Sequence, residues 1–558
     1  MEDLLRKYAL KNASEHGEAQ KQAVIGKVFA ENPELKKDAK KVVQKAQEAV
    51  DSVNSMSQEE IEKEMAEYEY FEKEEQEGLP ELPNVDEDKG VVMRLAPFPS
   101  GMLHIGNARM AVLNDEYVKK YGGKLYLVID DTAGSKEKKP LPEAYEEIPK
   151  DLEWLGVDFD EIIYKSDRMD RFYEYAEKFL EEGWAYVCKC DAETLRKNRE
   201  NGVECEHRGY SPEKNLEEWD KMLSGDHKMG DAIVRLKTDM THKDPAFRDR
   251  VLLRISDLDH PKVGTKYNVW PMLEFSWAID DHYLGMTHIL RGKDLMMENK
   301  MERFMWDLLG WEEPEILNHG LMSIQGIKIS TSEAKRKIDE GVYEGWEDPR
   351  TWSLKSLKKR GFKPEAIRNF VLSFGMSESH VTVPVKTLYT ENRKLIDKEA
   401  DRYFFVEEPK KITVNSVKSS VTAEADLHPE FSERGVRKLT VTPENGKVDL
   451  FMDESDFVKG TEIRLKDLFN IKIEDDGTVS KIGGGIDYAL HNNLKIVQWL
   501  PANDNKKCTI KMPDGSERTG LCESNLEKED EVIQFIRKGF VKPESINGEE
   551  VLCYFTHN

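Results

Sequence analysis

Apolar residues recur three and four apart through the first seventy or so positions of the chain, as in VVQKAQEAV from Val42 to Val50, and predict helices up to about Phe71. Ser57 followed by Glu60 makes a capping box at the head of one of them. EKEEQEGLPELPNVDEDKG then mixes charge with two prolines and reads as a linker, with a boundary near residue 88. VVMRLAP, Val91 to Pro97, is a short apolar, β-branched run closed by proline, so a buried strand is expected. From about Leu103 to Tyr121 the spacing turns helical, with Ile105, Ala108, Val112 and Tyr117 on one side and Gly122-Gly123 as the stop. KLYLVID, Lys124 to Asp130, is strand-like again. Strand, helix and strand in this succession form a βαβ unit and predict a parallel sheet covered by helices. The ligand crevice of such a sheet lies beyond the carboxyl ends of its strands, where PFPSGMLH falls.

Further α/β patterning appears in Val269 to Asp294 and in Ile316 to Ser330, and the cysteine-bearing stretch before them reads as an insertion into the sheet domain. Residues from about Thr331 to Arg393 return to helical spacing. Beyond about Asp397, short apolar runs alternate with Asn-Gly or Asp-Gly, dipeptides that supply the positive φ angles of tight hairpins. An all-β region of one or two small barrels is expected there.

A chain of 558 residues should form several domains, and 39% hydrophobic residues suffice to fill their cores. No apolar run is long enough to cross a bilayer, and MEDLLRKYALKNASEHGEAQ lacks the basic-then-apolar pattern of a signal peptide, so a cytoplasmic protein with no membrane partner is expected. The net charge of −25 argues against nucleic acid as a partner of the whole surface, but a local basic face can still bind. KSLKKRGFK, Lys355 to Lys363, is a candidate for that face; the ordinary alternative is a solvated helix surface.

PFPSGMLHIGN places glycines and a histidine at a helix start, where unpaired amides and the positive dipole end favour an anion. Gly101 and Gly106 would let a phosphate approach the backbone, and His104 and Asn107, three apart, would donate to its oxygens. The chemistry of such a triphosphate site is charge stabilisation. Downstream, GIKISTS, Gly326 to Ser332, is a glycine-led loop carrying Lys328 and hydroxyls that can close over phosphates. Cys188, Cys190, Cys205 and His207 form C-x-C and C-x-H, a set suited to tetrahedral Zn²⁺, against the alternative of reduced cysteines packed as small hydrophobes. Cys508, Cys522 and Cys553 are too scattered to suggest more than packing. Arg402, Tyr403, Trp499, Arg537 and Phe540 could contact unstacked bases, though such residues more often pack, and none is singled out as a site.

PFPSGMLHIGN resembles the HIGH signature, and KISTS the KMSKS signature, of class I aminoacyl-tRNA synthetases. Together with LVIDDT, DLEWLGV, AIDDHYLGMTHILRGKD, RYFFV, IVQWLP and VIQFIRKGF, the chain is similar over almost its whole length to archaeal-type glutamyl-tRNA synthetases. The resemblance implies an N-terminal helical extension and linker (1–88), a Rossmann-type catalytic domain (89–330) with an acceptor-end, zinc-bearing insertion (about 186–268), a helical connector (331–396) and an anticodon-binding β-barrel region (397–558). It implies ligation of glutamate to tRNA through a glutamyl-adenylate, using ATP and Mg²⁺. By it, His104, Gly106, Asn107, Lys328 and Ser330 would serve ATP and its transition state. Arg94 would meet the substrate side-chain carboxylate, Asp130 the amino group, and Arg291 would contact the substrate further. A structural Zn²⁺ on the cysteine–histidine set agrees with the family.

Asn107 replaces the last histidine of the first signature, Thr331 the second lysine of the other, and Leu273 a tyrosine common in the amino acid pocket. Alternatives are a glutaminyl-tRNA synthetase, a small-molecule nucleotidylyltransferase and a non-catalytic paralogue that binds tRNA. Whether tRNA for glutamine is charged besides tRNA for glutamate stays open at this level, and the N-terminal helices are a natural place for protein partners.

Overall fold

A computed structural model describes residues 1–65, 68, 78–132 and 139–558. The expected linker falls partly outside these residues, at 72–77. Two compact units emerge, Met1–Glu77 and Gly78–Asn558.

In the first unit, helices Glu2–His16, Lys21–Glu31, Ala39–Asn54 and Gln58–Met65 enclose a small apolar core. Val42, Ala46, Val50 and Val53 repeat at four, four and three positions and are all buried, the stripe that the pattern announces. Ser57 and Glu60 form the expected reciprocal cap: the Ser57 N–H donates to Glu60 Oε2 at 2.8 Å, and the Glu60 N–H to Ser57 Oγ at 3.3 Å.

The second unit is built on parallel strands. Val91–Leu95 pairs with Gly123–Ile129, which pairs with Glu161–Tyr164. On the other side of Val91–Leu95, the Thr287 N–H donates to the Val92 carbonyl at 3.0 Å, leading into His288–Gly292, itself parallel to Glu315–His319. Chain order therefore reverses at Val91–Leu95, and the crevice opens past Leu95 and Gly292. Helix Ile105–Tyr121 runs back from the first strand and buries Ile105, Ala108, Val112 and Tyr117.

The inserted segment forms a four-stranded antiparallel sheet, Ala185–Cys188, Ile233–Leu236, Val251–Ile255 and Val269–Pro271. After the catalytic strands, Met322–Ile324 pairs in parallel with Val381–Val383, and helices Leu354–Lys359, Pro364–Leu372 and Val385–Ile396 surround the pairing. The remainder is two seven-stranded sheets and a two-stranded one, Val421–Asp426 with Val436–Val441, so the all-β expectation holds, with one short α-helix, Gly485–His491, as an exception. Asn445 and Gly446 sit at φ 52° and 74°, in the left-handed region that a tight hairpin requires.

Most cations of KSLKKRGFK are already partnered, Lys363 by Glu399 at 2.9 Å, while Lys358 stays exposed. Lys355 pairs with Glu147, and Lys359 with Glu347 and Glu544 at 2.7 and 3.0 Å. Arg360 is wholly buried and donates to the carbonyls of Phe555 and Thr556. Acids contributed by distant parts of the chain turn this stretch into a strut between the connector helices and the last β-strand. Tyr403, Trp499 and Phe540 are likewise core residues of the β region, and Arg537 pairs with Asp456 at 3.2 Å.

Candidate active site and metal centre

The helix start is organised around His104. It is the N-cap: its Nδ1 accepts the Asn107 N–H at 3.3 Å, while Asn107 Oδ1 accepts the His104 N–H at 3.0 Å. Because Nδ1 accepts, the ring proton must sit on Nε2, which makes that nitrogen a donor. Burial pushes the imidazole pKa down to about 4, so it is neutral at physiological pH. His104 thus offers a neutral N–H, and Asn107 keeps only its amide N–H₂ for a ligand, its oxygen being committed to the cap.

Both glycines of the turn have local causes. A Cβ at Gly106 would lie 2.8 Å from His104 Cε1 and 2.9 Å from Nδ1, so glycine leaves room for the imidazole. A Cβ at Gly101 would lie 2.5 Å from Thr331 Cγ2 and from the Trp346 ring. The second loop therefore packs directly on the first, and the two signatures share one place. Ser330 caps helix Thr331–Asp339 by accepting the Glu333 N–H at 3.3 Å. Lys328 points to solvent, its side chain 80% exposed and its ammonium 2.6 Å from Glu333.

Arg94, Asp130 and Arg291 lie at the carboxyl ends of three neighbouring strands and are all buried. Arg94 is held by Asp281 through two parallel hydrogen bonds, the Nη2 one at 2.7 Å. Arg291 is held likewise by Glu302, at 2.9 and 2.6 Å. Asp130 lies 3.5 Å from the ammonium of Lys165, which donates to Ser276 Oγ at 2.8 Å. Burial raises the Glu302 carboxyl to about 7 and pushes the Lys165 ammonium down. Trp277, on helix Leu273–Tyr283, joins the three: Arg94, Lys165 and Arg291 stand 4.9, 5.0 and 5.0 Å from its ring. The sequence reading did not name Lys165, Trp277, Asp281 or Glu302. The adjacent acids of AIDDHYLG were the available signal, since two carboxylates on a buried helix need cationic partners.

The four metal-ligand candidates converge. Cys188 ends the first strand of the inserted sheet and Cys190 follows it, Cys205 caps a short 3-10 turn, Glu206–Gly209, that contains His207, and their ligand atoms all lie within 4.8 Å of one another. Tetrahedral zinc with sulfur at about 2.3 Å and nitrogen at about 2.0 Å places two sulfurs about 3.8 Å apart, and a sulfur and a nitrogen about 3.5 Å apart. Cys188 and Cys205 are 3.8 Å apart, and Cys190 and His207 Nδ1 are 3.5 Å apart. Arg235 Nη1, buried and 3.8 Å from the Cys188 sulfur, supplies positive charge to a three-thiolate set. Among the described residues this is the group of histidines, cysteines and acids arranged to hold an ion. Cys508 and Cys553 also meet, at 3.9 Å, because strands Asn505–Lys511 and Glu550–His557 are adjacent, which their separation in sequence concealed.

No described helix is long and apolar enough to cross a membrane. Residues 90–398 match the family model for tRNA synthetases class I (E and Q), catalytic domain, and residues 400–487 that for the anti-codon binding domain. The chain is 44% identical to a protein of Pyrococcus abyssi named glutamate–tRNA ligase, over all of both chains. Proteins of the same name from Thermococcus onnurineus and Methanocaldococcus jannaschii are 43% and 42% identical, again over the full length of both.

Proposed function

This chain belongs to the class I tRNA synthetases for glutamate and glutamine, and on that premise we propose that it activates glutamate with ATP and transfers it to the 3′ end of a tRNA that accepts glutamate. The observation that carries the reading is the meeting of three strand ends, which gathers two buried guanidiniums, each already held by a carboxylate, and one buried aspartate beside a helix start capped by His104 and Asn107.

In the first step a substrate α-carboxylate oxygen attacks the α-phosphorus of ATP, and the bond to pyrophosphate breaks. His104 Nε2–H and the Asn107 amide donate to the phosphate oxygens on which charge grows, and because they are fixed by the cap they need no reorganisation. Lys328 leaves Glu333 to neutralise the departing pyrophosphate from the other side, with Ser330 anchoring the loop. Mg²⁺ bound with the nucleotide would supply positive charge to its phosphates. In the second step a terminal ribose hydroxyl of the tRNA attacks the activated carbonyl, and AMP leaves. Cys188, Cys190, Cys205 and His207 would hold Zn²⁺ in a structural role, since four protein ligands would leave no position for a substrate.

The test is ATP–pyrophosphate exchange and aminoacylation with labelled glutamate or glutamine, using purified tRNAs for each. Glutamate-dependent charging is expected. Charging by glutamine alone, or turnover that needs no amino acid, would sink the proposal. Whether the tRNA for glutamine also receives glutamate is read in the same assay.

A further inference from the structure

We propose that Trp277 is a substrate-positioning residue whose indole N–H donates to the side-chain carboxylate of the bound amino acid. This rests on the reading of a glutamate-activating site and adds a contact to it. Trp277 is 4% exposed, and its Nε1 is buried without a hydrogen-bond partner among the described residues. A buried orphan donor is uncommon in a folded protein and calls for an acceptor.

One further orphan donor belongs to a residue of the same cluster, Arg291 Nε, whereas Asp130 Oδ2 faces the Lys165 ammonium at 3.5 Å. Two unpartnered donors in one cluster, with the Arg291 guanidinium 5.0 Å from the Trp277 ring, suit the two oxygens of a carboxylate. The charged groups around the ring decide which donors are free. Arg94 is matched by Asp281, Arg291 by Glu302, Lys165 by Asp130, and Arg168 by Asp280 at 2.5 Å. Both guanidinium forks are thus occupied before any substrate arrives. Trp277 Nε1 and Arg291 Nε are donors that an incoming carboxylate can use without first dissolving an ion pair.

The substrate α-carboxylate must lie toward His104, where it meets ATP, so the carboxylate reaching the cations around Trp277 is the side-chain one. Leu273, one turn earlier on the same helix, is apolar and offers no donor of its own.

The test is Trp277→Phe, which keeps a ring over the three cations and removes the N–H. In ATP–pyrophosphate exchange at saturating ATP, KM for glutamate is expected to rise about ten- to a hundredfold, the loss of one hydrogen bond to a charged group. The KM for ATP, kcat and the melting temperature should stay close to the parent's. Trp277→His, which retains a ring N–H, should recover part of the affinity. A glutamate KM within twofold of the parent's would overturn the proposal. So would a loss of kcat and melting temperature together with no selective change in KM, since that is a packing role. Absence of glutamate activation by the parent protein would instead remove the underlying reading.

Discussion

Gly106→Ala isolates the His104 geometry from everything else in the site. The added Cβ would meet His104 Cε1 at 2.8 Å, about 0.6 Å inside ordinary van der Waals contact, so the imidazole must retreat. Two effects on stability oppose each other. Alanine in place of glycine in a helix stabilises by up to about 1 kcal/mol. Loss of the Asn107 N–H to His104 Nδ1 contact gives back about the same, the worth of an N-cap. The melting temperature should therefore barely move. Catalysis has no such compensation, because the donor at Nε2 is displaced from where charge develops. A misplacement approaching 1 Å slows the reaction by about a hundredfold. The assay is ATP–pyrophosphate exchange at saturating glutamate and ATP, beside a thermal melt. An exchange rate within about threefold of the parent's, with an intact fold, would refute the idea that the capped imidazole is the working donor.

Zinc should be present at one ion per chain in protein purified without chelator; Cys205→Ser should release it and loosen the inserted sheet, and elemental analysis finding none in the parent would refute the site. Lys328→Ala should leave the melting temperature alone, because an exposed ion pair contributes about 0–1 kcal/mol, yet slow exchange tenfold or more; unchanged exchange would remove Lys328 from the mechanism. The folded pKa of His104 lies at about 4, below its unfolded value near 6.5, so the unfolded chain binds the extra proton between those limits. The stability that His104 contributes is complete above about pH 6.5 and is lost as pH falls toward about 4, a slope that His104→Gln should reduce when denaturant melts are compared across that window.

The sequence reached furthest where chemistry is local. The helix start at Ile105, the Asn445-Gly446 hairpin and the C-x-C and C-x-H pairs announce themselves within a few residues, because periodicity, positive φ and ligand spacing are short-range properties. What stayed hidden is long-range. Asp281 neutralises Arg94 from 187 positions away, and Glu147 claims Lys355 from 208 away, so a guanidinium expected to await substrate proves to be partnered already, as does a lysine of the stretch weighed as either a basic face or a solvated helix surface. Gly106 was assigned to phosphate approach, and the structure supplies a nearer cause in the imidazole it must admit. Glu302 illustrates the intermediate case: only eleven residues from Arg291, it was overlooked because an acid on a helix is ordinarily solvated.

The loop carrying Lys328 is fastened at both ends. Gln325 donates to the Val383 carbonyl at 2.8 Å just past the parallel pair Met322–Ile324 and Val381–Val383, and Ser330 is fixed as the cap of the next helix. Four residues lie between, with Gly326 at φ 75°. Ile327 donates back to the Ile324 carbonyl at 3.1 Å and packs with Ile329 against the core, so it is the Lys328 side chain, held by one exposed ion pair with Glu333, that can move without disturbing a strand or a helix. An exposed pair contributes about 0–1 kcal/mol, so the ammonium can exchange Glu333 for a stronger anion at little cost. If that anion is a triphosphate, as the proposed function requires, its binding draws the lysine side chain across and the release of pyrophosphate lets it return to Glu333.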